Sequence, residues 1–201
     1  MVKKMESSRF EKQIRFIKEI DKLKRISRQT ILMDGSRQEN SAEHSWHVAI
    51  MAIVLSEYAQ NAAIDWLRVL KMLLIHDLVE IDAGDTFCYS AQKCEDKELR
   101  EQKAADRIFN LLPKDQGEEF RTLWNEFEAQ TSSESLFAAA LDRLQPVLHN
   151  YHNNGKTWQK NHVISRQVLA RNEITKHEAP FLWEYTINLI EEAVSRGMLS
   201  R

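Results

Sequence analysis

Five glycines and three prolines are all that punctuate 201 residues. So little turn-forming material favours long helices over strands and tight hairpins. The apolar spacing agrees. Residues 42–60 are apolar almost all round in their middle, which predicts a central buried helix, with Asn40 or Ser41 as its N-cap. Asp65 caps a helix predicted over 66–80, and Ser7 or Ser8 can cap a first helix whose inward face is Phe10, Ile14 and Ile17. A charge-rich stretch, 89–103, leads into "AADRIFNLL", a helix that Pro113 ends. Further helices are expected at 116–129, 134–153, 162–176 and 180–196, with Gly197 as a stop. "MDGSRQENS", 33–41, reads as a turn-rich loop, and no segment alternates apolar and polar residues long enough to predict a strand. The expected fold is all-α: a compact single-domain helical bundle over 1–201, with 42–60, 66–80 and 134–153 as its inner layer.

Charge and composition exclude several functions. A formal net charge of −2 gives no electrostatic footprint for a nucleic acid polymer. The apolar run "VAIMAIVL", 48–55, is too short to cross a membrane, and "MVKKMESSRF" lacks the apolar segment of a secretion signal. Cys88 and Cys94 have no CxxC spacing, so they read as two reduced thiols in a cytoplasmic protein.

The chemistry starts at "LLIHDLVEIDAGD", 73–85, where an apolar run meets a histidine and four acids. Trp66, Leu70, Leu73 and Asp77 follow one another at helical intervals, so Asp77 continues a core-facing stripe, with His76 on the stripe beside it. A carboxylate there must be paired, protonated or bound to a cation. His44 shares an inward face with Val48, Met51 and Leu55, and "LFAAALD" ends an apolar run on Asp142. Pro146 cannot donate to the carbonyl of residue 142, so a kink is expected beside that aspartate. Two readings stay open from the residues alone. Either Asp142 pairs with Arg143 and His44 is a satisfied core histidine, or three buried helices deliver ligands to one metal.

The ordered set "AEHSWHVA" (42–49), "HDLVEIDAGD" (76–85) and "ALDRLQ" (140–145) resembles the HD superfamily of metal-dependent phosphohydrolases. The nearest branch is the small bacterial 5'-deoxynucleotidases and their hydrolase relatives. The resemblance runs from about residue 10 to residue 190, with its motifs between about 28 and 145. It implies that His44, His76, Asp77 and Asp142 hold one divalent cation, whether Mn, Co, Fe, Ni or Zn. Glu80 then fits a catalytic base or water-orienting group, and Asp85 a second acid of the catalytic and substrate-lining set, with Thr86 beside it. "RISRQTILMDGSRQENSAEHS" resembles the family's substrate-facing segment, so Arg28 is expected to orient a phosphate. Gln29 stands where the best-studied members carry a sugar-selecting tryptophan, so a weaker preference for deoxyribose is expected than in those members.

The implied activity is hydrolysis of a phosphomonoester, a nucleoside or deoxynucleoside 5'-monophosphate, by a homodimer. A nucleoside triphosphate or alarmone hydrolase is the alternative within the superfamily, and a non-catalytic metal- or nucleotide-binding sensor the alternative outside enzymes. His47 reads as a core residue, and His162 and His177 as surface residues. His149 and His152 follow Asp142 near its face, but the other ligands that a second metal has in related phosphodiesterases are missing.

Overall fold

The computed structural model describes residues 2–87, 89 and 96–201, with side chains from residue 8 onward. The expectation for Cys88 and Cys94 lies outside the described residues. The fold is all-α, and the described residues hold only one small two-stranded sheet. Among the described residues, no helix is long and apolar enough to cross a membrane.

Three helices form the inner layer. α2, Ser41–Val54, begins with a capping box in which Asn40 accepts from the Glu43 N–H and Glu43 accepts from the Asn40 N–H. α3, Trp66–Ile75, is capped by Asp65, and α7, Ser133–His152, by Ser132. α3 packs against both α2 and α7. Their buried side chains include Val48, Met72, Leu73, Phe137 and Leu141, with Ala138 to Ala140 letting α7 approach closely. α7 runs unbroken through Pro146.

Around this layer lie α1 (Val2–Ile20), α4 (Glu80–Ala83), α5 (Lys97–Phe109), α6 (Lys114–Ala129), α8 (Lys156–Lys160), α9 (Ser165–Asn172), α10 (Thr175–Glu178) and α11 (Pro180–Ser195). Here the sequence reading needs several corrections. α1 starts before Ser7 and Ser8, so neither caps it. Its inward residue is Phe16, edge-on to Phe120 at 5.8 Å, while Phe10 and Ile17 are exposed. The segment 162–176 is two short helices, because His162 takes a left-handed conformation (φ 53°) and the helix turns again before Thr175. α2 is not buried all round: Trp46, Ile50, Ile53 and Val54 face outward.

Two departures place the site. The expected helix 66–80 changes at His76 into a 3-10 turn, His76–Val79, before α4 resumes. With three residues per turn, Asp77 and Glu80 are brought into line. The supposed loop 33–41 contains a strand: β1, Ser27–Ile31, pairs antiparallel with β2, Gln38–Asn40, matching Ser27 with Asn40 and Ile31 with Gln38 around an irregularity. This polar hairpin holds because distant side chains satisfy it. Asn153 donates to the Ile31 carbonyl (2.9 Å), and the Ile31 N–H donates to Thr157 Oγ1 (3.3 Å).

Candidate metal centre and active site

His44 comes from the first turn of α2, His76 and Asp77 from the 3-10 turn, and Asp142 from the middle of α7. Their donor atoms converge. His44 Nε2 lies 2.9 Å from Asp142 Oδ1, and His76 Nε2 lies 3.1 Å from Asp77 Oδ1 and 3.6 Å from Asp142 Oδ1. Atoms bound at about 2.0–2.2 Å around one ion stand roughly 3–3.5 Å apart, so this spacing suits a shared cation. His76 Nδ1 faces the Leu73 carbonyl at 2.9 Å, which fixes a proton on that nitrogen. The opposite nitrogen, Nε2, is buried with no hydrogen-bond partner. A ring oriented by a carbonyl on one side with its other nitrogen free is the arrangement of a metal-ligating imidazole. The donor set therefore fits a divalent ion.

Electrostatics tell the same story. Burial opposes a charge on His76, yet Asp77 and Asp142 outweigh it and lift its pKa to about 9. Burial likewise works against ionised Asp142, but the His44 and His76 imidazoles beside it hold it well below the usual carboxylate range. The cluster attracts positive charge, and protons supply it in the absence of a cation.

Glu80 sits beside the cluster. Its Oε2 accepts from Ser41 Oγ at 2.5 Å, and burial, then Asp77, push its pKa up to about 8. Arg28 reaches in from β1: Nη1 donates to Asp77 Oδ2 at 2.5 Å and lies 3.9 Å from Glu80 Oε1, while Nε is 3.8 Å from Glu39 Oε2. Asp85 Oδ2 accepts from the Gln29 N–H at 3.1 Å. Burial raises the pKa of Asp85 and the nearby Arg28 partly offsets this. Arg28, Gln29, Asp85 and Thr86 all line one cavity of about 260 Å³, with Asp77, Glu80 and Asp142 at its floor. Phe87, Tyr89 and Trp158 add aromatic walls to it. Its size lies near the lower end of small-molecule sites.

The structure thus brings together every residue singled out from the sequence as ligand, acid or substrate contact. His162, His177 and His152 are exposed. His47 is half-buried rather than core, 5.5 Å from the buried His149 ring. Sequence reasoning missed Ser41 as a partner of Glu80, Thr157 as the anchor of β1, and Glu39, which is almost wholly buried between Arg28 and His44. Glu39 offered one signal, its place between a basic segment and a metal-type histidine; Ser41 and Thr157 offered none.

Comparison with known proteins adds to this geometry. The family model of the HD domain matches residues 20–183. A solved structure from Magnetospirillum magnetotacticum MS-1, described as a predicted metal-dependent phosphohydrolase, superposes with a TM-score of 0.89 at 51% identity, over 96% of this chain and 100% of that one. The 5'-deoxynucleotidase HDDC2 of Homo sapiens is 31% identical over 136 residues, covering 67% of this chain and 65% of that protein. The Dictyostelium discoideum protein of that name is 28% identical over 88% of this chain and 95% of its own length. The chain therefore spans just under two thirds of the human relative it matches.

Proposed function

The chain belongs to the HD domain family, and from that premise we propose that it is a metal-dependent phosphohydrolase that converts (deoxy)nucleoside 5'-monophosphates to nucleoside and phosphate. The observation that supports this best is the cavity floor, where a convergent His/Asp cluster is flanked by a guanidinium and a carboxyl of raised pKa. Relatives named 5'-deoxynucleotidases support the substrate class.

His44, His76, Asp77 and Asp142 would hold the cation, which supplies Lewis acidity toward the phosphoryl oxygens. Every other role falls to the chain's own side chains. Arg28 pairs its fork with phosphate oxygens and offsets charge as it builds on them. Glu80 takes the proton of the attacking water; Ser41 holds Oε2 of that carboxyl, which leaves Oε1 facing Arg28 and the cavity. Asp85 fixes the backbone of Gln29, and Thr86 lines the wall where the sugar lies. Phe87, Tyr89 and Trp158 offer the base faces to stack on.

We place the reaction in the cytoplasm, in a homodimer. The outward stripe Trp46, Ile50 and Ile53 on α2, continued by Leu67 and Leu74 on α3, is the face for a second copy, since a monomer gains nothing from large apolar residues there. Ile53→Glu should then release monomers in size-exclusion chromatography with light scattering.

A phosphate-release screen of nucleotides with Mn, Co, Ni and Zn tests the activity. Phosphate from 5'-monophosphates supports it. Pyrophosphate or triphosphate release from nucleoside triphosphates or alarmones redirects it within the family, and tight binding without any product makes the chain a sensor.

A further inference from the structure

Directly beside the centre just described, 3.6 Å from His44 Nδ1 at its nearest carboxylate oxygen, lies a cluster that its chemistry does not use. Glu39 on β2, His47 on α2 and His149 on α7 offer ligand atoms that all lie within 4.8 Å of one another. Between them stands the amide of Gln145, itself fully buried. Its Nε2 donates to Glu39 Oε1 at 2.6 Å and lies 3.0 Å from His149 Nε2 and 3.3 Å from His47 Nδ1.

The hydrogen bonding there does not close. His149 Nδ1 faces the Ile31 carbonyl at 3.3 Å, so its proton belongs on that side and Nε2 presents a lone pair. Burial keeps both His47 and His149 below the ordinary histidine range, so both rings are neutral at pH 7. Glu39 Oε1 and His149 Nε2 take both hydrogens of the amide nitrogen, so His47 Nδ1 beside it is left unmatched in either tautomer. The amide oxygen, Gln145 Oε1, is buried without any partner, and so is Glu39 Oε2. Turning the amide over would set its oxygen against a carboxylate and two lone pairs, which is tolerable only with positive charge between them. A cation gives the carboxylate, both ring nitrogens and the amide oxygen a common partner.

We propose that Glu39, His47 and His149, joined by the Gln145 amide oxygen, form a second cation site, distinct from the His44/His76/Asp77/Asp142 centre. Two imidazoles with two oxygens select a borderline divalent ion such as zinc, cobalt or nickel. The site joins β2, α2 and α7, and through the Ile31 carbonyl it reaches β1. It clips to the helical layer the hairpin that carries Arg28 and Gln29. Glu39 links the two centres, because its second oxygen lies 3.6 Å from His44 Nδ1. His47, half-buried, gives the ion its way in and can be replaced without opening a core cavity.

The test is zinc content per chain after chelation, reloading and desalting, with thermal unfolding as the second readout. Wild type should hold two equivalents, His47→Ala and Asp142→Ala one each, and the double variant none. Asp142→Ala should still gain Tm on adding zinc, and the double variant should not. The same content in His47→Ala as in wild type overturns the proposal, whether that content is one or two, and leaves the first centre standing. Loss of zinc in Asp142→Ala alone, with no Tm response in that variant, overturns it as well.

Discussion

Arg28 Nη1 donates to Asp77 Oδ2 at 2.5 Å, so the guanidinium proposed to hold phosphate holds a carboxylate proposed to hold metal. One positive charge thus faces both partners. A cation entering the cluster competes with Arg28 for Asp77, and Arg28 released from Asp77 is free to meet an incoming phosphate. Arg28→Gln removes the competitor. Its metal affinity, measured by calorimetry, should equal or exceed that of wild type, while kcat/KM falls by roughly 10²-fold or more, as for a lost transition-state charge partner. The fall should be similar for every base, since the role proposed for Arg28 is to read phosphate. Weaker metal binding in this variant would contradict the competition.

Glu80→Gln keeps the shape of the side chain and its contact with Ser41 but cannot accept a proton. Turnover should drop by roughly 10²–10⁴-fold with metal content unchanged. Loss of metal would instead make Glu80 a ligand.

Metal binding should depend on pH in a defined direction. In the metal-free protein His76 stays protonated up to about 9, and an ion needs its Nε2 lone pair. Affinity should therefore rise with pH to about 9 and level off above it, and calorimetry at pH 7 in two buffers should show proton release on binding. Stability follows the same proton. A histidine raised from 6.5 in the unfolded chain to about 9 stabilises the fold fully below 6.5, and that contribution is lost as pH rises to about 9. Metal-free protein should accordingly melt lower at pH 9.5 than at pH 6.5.

Gly155 opens α8 with φ 74°, and a Cβ there would stand 2.1 Å from the Met198 carbonyl oxygen. Gly155→Ala should cost roughly 1–2 kcal/mol from the left-handed backbone alone, and more from displacing Met198. Urea unfolding measures it. Because α8 carries Thr157, which anchors β1, activity should fall in parallel.

Much of the inner layer was legible because apolar spacing reports burial directly: Leu70, Leu73 and Asp77 do lie along one side of α3 and its continuation. The switch to a 3-10 turn at His76 was not legible, since nothing in "IHDLVE" forbids an α-helix; the turn packs against α2 and α5, which lie elsewhere in the sequence. β1 was invisible for a similar reason. "SRQTI" carries no apolar alternation, and the groups that hold it, Asn153 and Thr157, come more than a hundred residues later. The face of α1 was misjudged because Phe10, Ile14 and Ile17 fit a stripe as well as Phe16 does, and only the position of Phe120 decides between them. On α2, hydrophobicity announced burial without saying against what. In the candidate site, the histidines and aspartates stood out by their places in apolar runs, whereas Arg28 stood out through family resemblance alone.

Gln29 is tied into the fold by its main chain. Its N–H donates to Asp85 and its carbonyl accepts from Thr157 Oγ1 at 3.4 Å. Any residue except proline makes both bonds, so the side chain at this position is free of architectural duty while it faces the cavity. In the course of descent such a position is cheap to vary. On the proposed activity, a lineage can trade glutamine for an aromatic or a small side chain and retune the choice of sugar, while the cluster of histidines and aspartates behind it stays in place.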